Sequence, residues 1–136
     1  MMAAFARAWQ KPRGFLLDVG PALLYLAVLF WFGLTPLKSL PGPQFALQDK
    51  AWHLVAFGGA AALLARSLGH WGRKALPAAR DAAAAAISLG GLLELLQSLT
   101  AYRSADWADF VADSLGAGLA YVTLRKLHAA ATSAPA

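Results

Sequence analysis

The amino-acid sequence predicts an all-α fold, a four-helix transmembrane bundle with both termini in the cytoplasm. Three observations support this prediction. First, 59% of the 136 residues are hydrophobic and only 14% are charged, whereas soluble chains carry roughly a quarter charged residues. Second, the apolar residues form four long stretches. Third, most Lys and Arg residues lie near the two ends of the chain and in one connecting loop, a distribution typical of multi-pass membrane proteins.

The first predicted element is a basic segment, residues 1–18, in which aromatic side chains are mixed with Arg and Lys. This composition is typical of a segment that lies at a membrane surface. The first apolar stretch, residues 19–37, contains no charged residue before Lys38. At roughly 1.5 Å per residue it is about 28 Å long, enough to cross the hydrocarbon core. A signal peptide is the weaker alternative, since its apolar core is usually only about 7 to 15 residues long.

Three further apolar stretches complete the predicted bundle, at residues 50–70, 82–102 and 107–124. Each is long enough to cross a membrane or nearly so, and each contains few ionisable groups. The four stretches together define one domain at residues 19–127. The last residues, 128–136, are mostly small and predict a disordered tail.

The distribution of basic residues predicts the orientation of the bundle. The two loops on one side carry only Lys38, Lys50 and Arg103. Because cytoplasmic loops are enriched in Lys and Arg, the richer side and both termini are predicted to be cytoplasmic. The nine basic residues of that side are Arg7, Lys11, Arg13, Arg66, Arg73, Lys74, Arg80, Arg125 and Lys126.

Small residues at four-residue spacing predict close packing between the helices. Ala112, Gly116 and Ala120 repeat in this way on the fourth stretch, and Ala86 and Gly90 do so on the third. Small side chains on one helix face let two backbones approach each other in a membrane.

Composition also excludes several kinds of site and partner. The chain has no cysteine, which excludes disulfides, thiolate metal sites and thiol nucleophiles. The net charge is +5, but the basic residues flank apolar stretches and form no stripe with interleaved aromatics. We therefore expect no nucleic-acid partner. No dedicated metal motif such as H-E-x-x-H occurs, so neither a metal nor a cofactor is predicted.

The ionisable and amide residues of the predicted spans gather toward the outer leaflet. Within each span their spacing of three or four residues places them on one helix face. Charged groups this deep in a membrane are costly, so they are expected to face the bundle interior and find partners. His70 and His128 lie at the cytoplasmic ends and are predicted to be surface residues. The predicted ligand-binding residues are Asp49, Lys50, His53, Glu94, Gln97, Arg103, Asp106, Asp109 and Asp113. A purely structural role, hydrogen bonding between helices, is the alternative for these groups.

Three blocks of these residues resemble the VanZ-like family of bacterial integral membrane proteins, in the family's order and at similar spacing over residues 49–118. The family usually has Asn at the position of Asp113, where this chain adds a carboxylate. The three blocks are Asp49-Lys50-x-x-His53-x-x-x-Phe57, Gly91-x-x-Glu94-x-x-Gln97 and Arg103-x-x-Asp106-x-x-Asp109-x-x-x-Asp113-x-x-Gly116. The resemblance implies a multi-pass protein of the bacterial inner membrane with a role in the cell envelope. The family is named for a member that raises resistance to the glycopeptide antibiotic teicoplanin.

Two functions from different classes follow. The first is a binding protein whose outer-leaflet pocket recognises a lipid headgroup, a lipid-linked envelope precursor or a glycopeptide, with Lys50, His53 and Arg103 meeting an anion. The second is a membrane-embedded enzyme acting on a lipid phosphate or ester, with His53, Glu94 and Asp109 as candidate acid–base residues. In the second hypothesis Asp49, one helical turn from His53, orients the imidazole. A variant of this hypothesis has a divalent metal held by carboxylates and His53, although no dedicated metal motif occurs. A structural role and assembly into a homo-oligomer are left open by the sequence.

Overall fold

The computed structural model describes residues 12–36 and 47–133, and within these residues it contains helices and no strand. The prediction of an all-α fold is therefore confirmed. Four helices are long and one is short: α1 is Pro12–Asp18, α2 is Gly20–Leu34, α3 is Gln48–His70, α4 is Ala75–Ser98 and α5 is Trp107–Ser133.

Two predicted segments extend beyond the described residues. Residues 1–11 of the predicted basic segment lie outside them, and its remainder forms α1. Helix α5 continues through Ser133, so residues 128–133 are helical where the sequence predicted a disordered tail. The many alanines of this stretch favour helix, which explains the difference. Residues 134–136 lie outside the described part of the chain.

Local sequence explains where the helices end. Helix α2 ends at Leu34 because Thr35 precedes Pro36, and a residue before proline is displaced from the helical region; Thr35 is extended at φ −91° and ψ 140°. Helix α3 ends in a Schellman motif at Gly72, whose φ is +82°. There the Arg73 amide donates to the Leu68 carbonyl at 3.0 Å, and the Gly72 amide donates to the Gly69 carbonyl at 2.9 Å. The short turn reverses the chain into α4.

The four long helices alternate in direction, so each end of the bundle collects residues from several helices. At one end, the Gln97 side-chain amide of α4 donates to the Gly33 carbonyl of α2 at 2.9 Å. At the other, Arg66 of α3 contacts Asp18 of α1 at 2.9 Å. We call the end with Gln97 the polar end and the end with Asp18 the opposite end.

Helices α3, α4 and α5 form a tightly packed core, and α4 contributes most to it. Alanines cover its buried face, including Ala82 and Ala86, which have no exposed surface. Helices α3 and α5 approach so closely that a side chain at Gly116 would overlap the carbonyl oxygen of Leu54. Small residues at the predicted spacing thus allow backbone contact between helices.

Helix α2 packs on the outside of this core. Ala22 is its buried residue, and three hydrogen bonds to main-chain carbonyls join it to the rest of the described chain. Gln97 donates to the Gly33 carbonyl, the Tyr25 hydroxyl donates to the Ala56 carbonyl at 2.9 Å, and the Tyr102 hydroxyl donates to the Leu34 carbonyl at 2.6 Å. The peripheral position of α2 leaves a cavity between it and the core.

Two segments of the described chain are long and apolar enough to cross a membrane: Gly14–Leu34 and Gln48–His70. Helices α4 and α5, which carry buried carboxylates, do not meet the same criterion. The structure thus contains two candidate spans among its four long helices, and the prediction of four spans is not confirmed.

Candidate functional site

Seven of the nine predicted ligand-binding residues come together at the polar end, and we call them the polar cluster. Three helices contribute to it, together with the residue that precedes α5. Its members are Asp49, Lys50, His53, Glu94, Asp106, Asp109 and Asp113. The other two predicted residues, Gln97 and Arg103, line a neighbouring cavity.

Lys50 contacts three carboxylates at once. Its Nζ atom lies 2.6 Å from Asp106 Oδ2 and 3.6 Å from Asp49 Oδ2, and it also forms an ion pair with Asp109. Asp109 is buried, with 10% of its side chain exposed. A buried carboxylate needs a partner of opposite charge, so the ammonium group of Lys50 is fully engaged within the protein.

Asp113 provides the close hydrogen-bonding carboxylate for His53. The distance from His53 Nδ1 to Asp113 Oδ1 is 2.9 Å, and Nε2 lies 3.6 Å from Asp109 Oδ2. The imidazole also stacks on Phe57, with 6.5 Å between ring centroids and 6° between planes. The close partner of the imidazole is therefore Asp113 of α5, whereas the sequence predicted Asp49 of α3. The ring is held on two sides, as a general base or a metal ligand must be.

Two carboxylates of the polar cluster each have a buried oxygen without a hydrogen-bond partner among the residues that the structure describes. Glu94 accepts the Asp106 backbone N–H through Oε2 at 2.7 Å, but its Oε1 has no partner. Asp113 uses Oδ1 for His53, and its Oδ2 has none. An unpaired buried acceptor costs about 1 to 3 kcal/mol, and more when it is charged. A fold that retains two of them sacrifices stability at this site.

Asp106 starts α5 as its N-cap. Its Oδ1 accepts the backbone N–H of Ala108 at 2.8 Å, which satisfies a free donor of the first helical turn. The Lys50 ammonium, followed by this N–H, holds the pKa of Asp106 below its usual value. Asp106 therefore fixes the helix that carries Asp109 and Asp113 and also anchors Lys50.

A cavity of about 320 Å³ lies between α2 and the three-helix core, next to the polar cluster. It is partly open, its walls are mostly apolar, and its polar side chains are those of Asp49, His53, Gln97 and Arg103. The remaining lining residues are Tyr25, Val28, Leu29, Phe32, Gly33, Trp52, Ala56, Phe57 and Leu93. We call this the apolar cavity; its volume is within the range of small-molecule sites.

Arg103 and Gln97 play different parts in the apolar cavity. Gln97 hydrogen-bonds to Gly33 of α2, which is a structural contact between helices. The guanidinium group of Arg103 donates a long hydrogen bond, of 3.5 Å, to the Thr35 carbonyl. Among the described residues, no carboxylate lies within ion-pair distance of its guanidinium group. The cavity therefore has a cationic group available for a ligand.

Two sets of side chains in the polar cluster are arranged so that they could hold a metal ion. One set is Asp49, His53 and Asp109, and the other is His53, Glu94 and Asp113; within each set the ligand atoms lie within 4.8 Å of one another. The second set includes the two carboxylates that each have an unpartnered oxygen. A second cavity, of about 340 Å³, lies beside Glu94 and Asp106.

At the opposite end, the structure shows a group of contacts that the sequence analysis missed. Asp18 accepts hydrogen bonds from Arg66 Nε at 3.0 Å and approaches His70 Nδ1 at 3.1 Å, while the Ser67 hydroxyl donates to the Asp18 carbonyl at 3.0 Å. The His70 side chain is 8% exposed, so the prediction that His70 is a surface residue is wrong. The rings of Phe15 and Trp71 pack edge-on against it. The burial of His70 depends on Phe15 of α1. The sequence around His70 does not show this contact, because Phe15 is distant along the chain.

Comparisons with known proteins give this chain no relative. A scan against protein-family models, a search of the curated proteins and a search of the solved structures each found no match. The resemblance to the VanZ-like family accordingly depends on the three sequence blocks alone. The geometry of the polar cluster and of the apolar cavity is therefore the basis for assigning a function.

Proposed function

We propose that this chain is a multi-pass, VanZ-like protein of the bacterial inner membrane whose apolar cavity binds an anionic lipid or lipid-linked envelope precursor. In this proposal the four long helices span the membrane, the polar end faces the outer leaflet, and the ligand's anionic group is bound by Arg103. A lipophilic glycopeptide with a carboxylate would present the same chemistry.

The distribution of side chains supports a membrane environment. Large apolar residues point outward on the long helices, among them Leu24, Trp31, Leu95 and Leu115, while alanines and carboxylates are buried. Soluble monomers seldom expose apolar patches of this extent. An interior of small and polar groups with a large apolar exterior is what helix packing in lipid favours.

The observation that carries the binding proposal is a cation without a carboxylate partner, at the polar end of a cavity whose walls are mostly apolar. Arg103 has no carboxylate partner among the described residues, and the walls beside it consist of side chains such as Val28, Leu29 and Phe32. A ligand that fits both features has an anion joined to an apolar chain. Arginine also binds phosphate and carboxylate groups through two parallel hydrogen bonds.

The contacts of Lys50 narrow the role of the other basic residues. Its three carboxylate neighbours leave it no free capacity for an external anion, and His53 lies between Asp109 and Asp113. Of the three residues predicted to meet the anion, Arg103 is the one that the geometry favours. The polar cluster holds the end of the loop that carries Arg103, because Asp106 donates its backbone N–H to Glu94 and pairs with Lys50.

The test measures lipid binding by the Arg103→Gln variant in detergent micelles. Native mass spectrometry detects the bound lipid, and the two lipids are phosphatidylglycerol and a polyprenyl phosphate. Loss of a charged hydrogen bond costs about 1.5 to 3 kcal/mol, so we expect affinity to fall by roughly ten- to a hundredfold. Arg80→Gln is the matched control, because Arg80 pairs with Asp81 at the opposite end. Equal binding by Arg103→Gln and the wild type would contradict the proposal, as would equal binding of phosphatidylcholine.

An enzyme is the second candidate, and the buried contact between His53 and Asp113 favours it. A carboxylate on one ring nitrogen fixes the tautomer and leaves the other nitrogen for proton transfer. His53 also lines the apolar cavity, so the imidazole is within reach of a bound lipid. Chemical conversion of the polyprenyl phosphate during the binding experiment would identify this second function.

A further inference from the structure

Lipid binding by Arg103 does not use the two unpartnered oxygens of the polar cluster, Glu94 Oε1 and Asp113 Oδ2. We propose that His53, Glu94 and Asp113 form a binding site for one divalent transition-metal ion of the Zn²⁺ type. This inference goes beyond the proposed function and is independent of it, since it concerns ion binding by the protein without lipid.

Burial is the first argument for an ion. Asp113 has no exposed surface and Glu94 is 7% exposed, so their unpartnered oxygens are shielded from bulk water. Polar atoms this deeply buried almost always have a partner in a folded protein. Two such oxygens, on two different helices, indicate a missing ligand common to both.

The direction of the Asp113 carboxylate is the second argument. A Cβ atom placed on Gly90 would lie 2.7 Å from Asp113 Oδ2, so this oxygen points at the face of α4 that carries Gly90. Glu94 lies four residues further along the same face. The unpartnered oxygen of α5 is thus directed toward the strip of α4 from which Glu94 projects.

Distances within the set agree with a coordination sphere. The ligand atoms of His53, Glu94 and Asp113 lie within 4.8 Å of one another. Bonds of about 2.0 to 2.2 Å to a central Zn²⁺ would bring them to roughly 3 to 4 Å apart. Small side-chain rotations are enough to reach this geometry, because the three residues already converge from α3, α4 and α5.

The balance of charge favours a cation at the same place. Lys50 is shared among Asp49, Asp106 and Asp109, so it does not neutralise Glu94 or Asp113. Of these two carboxylates, Asp113 has the imidazole of His53 within ion-pair distance, and among the described residues Glu94 has no basic side chain that close. A divalent ion would compensate both carboxylates and satisfy both unpartnered oxygens.

The donor set indicates the class of metal. One imidazole nitrogen with two carboxylates suits Zn²⁺ and similar transition metals, whereas Mg²⁺ and Ca²⁺ are bound by oxygen atoms alone. Three protein ligands leave a coordination position open, the arrangement of zinc sites that bind a water or a substrate. The second cavity borders one of the three proposed ligands, Glu94.

The experiment uses the full chain purified in detergent, stripped of metal with a chelator and dialysed without lipid. Zn²⁺ binding is measured by calorimetry, with Co²⁺ absorption as a spectroscopic probe. The wild type should bind one ion, and its unfolding midpoint should rise with Zn²⁺ concentration. Glu94→Gln and Asp113→Asn should each lower the affinity by more than tenfold and abolish the rise.

Two control variants give the result its meaning. Asp81→Asn removes a carboxylate at the opposite end and should bind Zn²⁺ like the wild type. Asp49→Asn should also bind normally, because Asp49 belongs to the alternative set with Asp109. Loss of binding in Asp49→Asn with retention in Asp113→Asn would overturn the proposal, and so would absence of binding by the wild type.

A measurement on the wild type protects the test against variants that do not fold. Zinc K-edge X-ray absorption of the loaded protein should show one imidazole nitrogen and oxygen ligands near 2.0 to 2.2 Å. A spectrum with oxygen ligands alone would exclude His53 and overturn the site. Each of these results is independent of whether Arg103 binds lipid.

Discussion

The two ends of the bundle carry similar residues but treat their charges differently. At the opposite end, Asp18 and Asp81 are 31% and 33% exposed, and each pairs with arginine. At the polar end, Glu94 and Asp113 are buried and each has an oxygen with no partner. The opposite end also has a buried polar atom without a partner among the described residues, Nε2 of His70, but its carboxylates are partly exposed and paired. The polar end, in contrast, keeps carboxylates where stability alone would remove them. The difference supports the proposal that the polar end is the functional one.

Neutralising one cation at each end tests this contrast most strongly. Lys50→Met leaves Asp109 buried without its ammonium partner and should lower the free energy of unfolding by about 3 kcal/mol. Arg73→Met removes an exposed partner of Asp81 and should cost less than about 1 kcal/mol. Denaturant titration in detergent, followed by circular dichroism, measures both. Equal losses would mean that the polar end is an ordinary surface network.

Adding one methyl group to a glycine at each end gives the next largest difference. In Gly90→Ala the new Cβ would lie 2.7 Å from Asp113 Oδ2, and the displacement should cost about 1 to 3 kcal/mol. Gly69 has no atom within 4 Å of the corresponding position, so Gly69→Ala should stabilise α3 by about 0.5 to 1 kcal/mol. The same titration measures both changes. A neutral Gly90→Ala would show that the Asp113 carboxylate has room to move.

Acidification should produce the smallest effect, and a similar one at both ends. Lys50 lowers the pKa of Asp106 and Arg73 lowers that of Asp81, each from the usual value of 3.8. Their ionised forms therefore stabilise the fold above about pH 3.8, and this contribution is lost as pH falls below it. The unfolding midpoint, followed from pH 6 to pH 3, should fall less in Asp106→Asn and in Asp81→Asn than in the wild type. A pH response confined to one of the two variants would contradict this expectation.

Much of the fold could be predicted from the sequence because its signals are local. The apolar stretches and their flanking residues predicted four long helices, and the structure contains four. Thr35-Pro36 and Gly72 lie where helices α2 and α3 end. The helical end of α5 was missed because a short alanine-rich segment resembles a tail in composition and a helix in propensity.

The members of the polar cluster were predictable, but their pairing was not. Spacing along one helix suggested Asp49 as the partner of His53, whereas the close contact comes from Asp113, 60 positions along the chain. Such contacts depend on the relative rotation of two helices, which no local pattern encodes. For the same reason the sequence suggested a metal held by carboxylates and His53 only as a variant, without the ligand set. The set of His53, Glu94 and Asp113 is drawn from three helices.

The peripheral position of α2 separates the contacts that attach this helix from the side chains that line the cavity. Tyr25 and Gln97 hold this helix through main-chain carbonyls, which are present whatever the side chains are. Residues such as Val28 and Phe32 line the cavity. They can therefore be substituted without changing the packing among α3, α4 and α5. If the apolar cavity binds a ligand as proposed, its ligand preference can change with the side chains of α2 while the packing of α3, α4 and α5 stays the same.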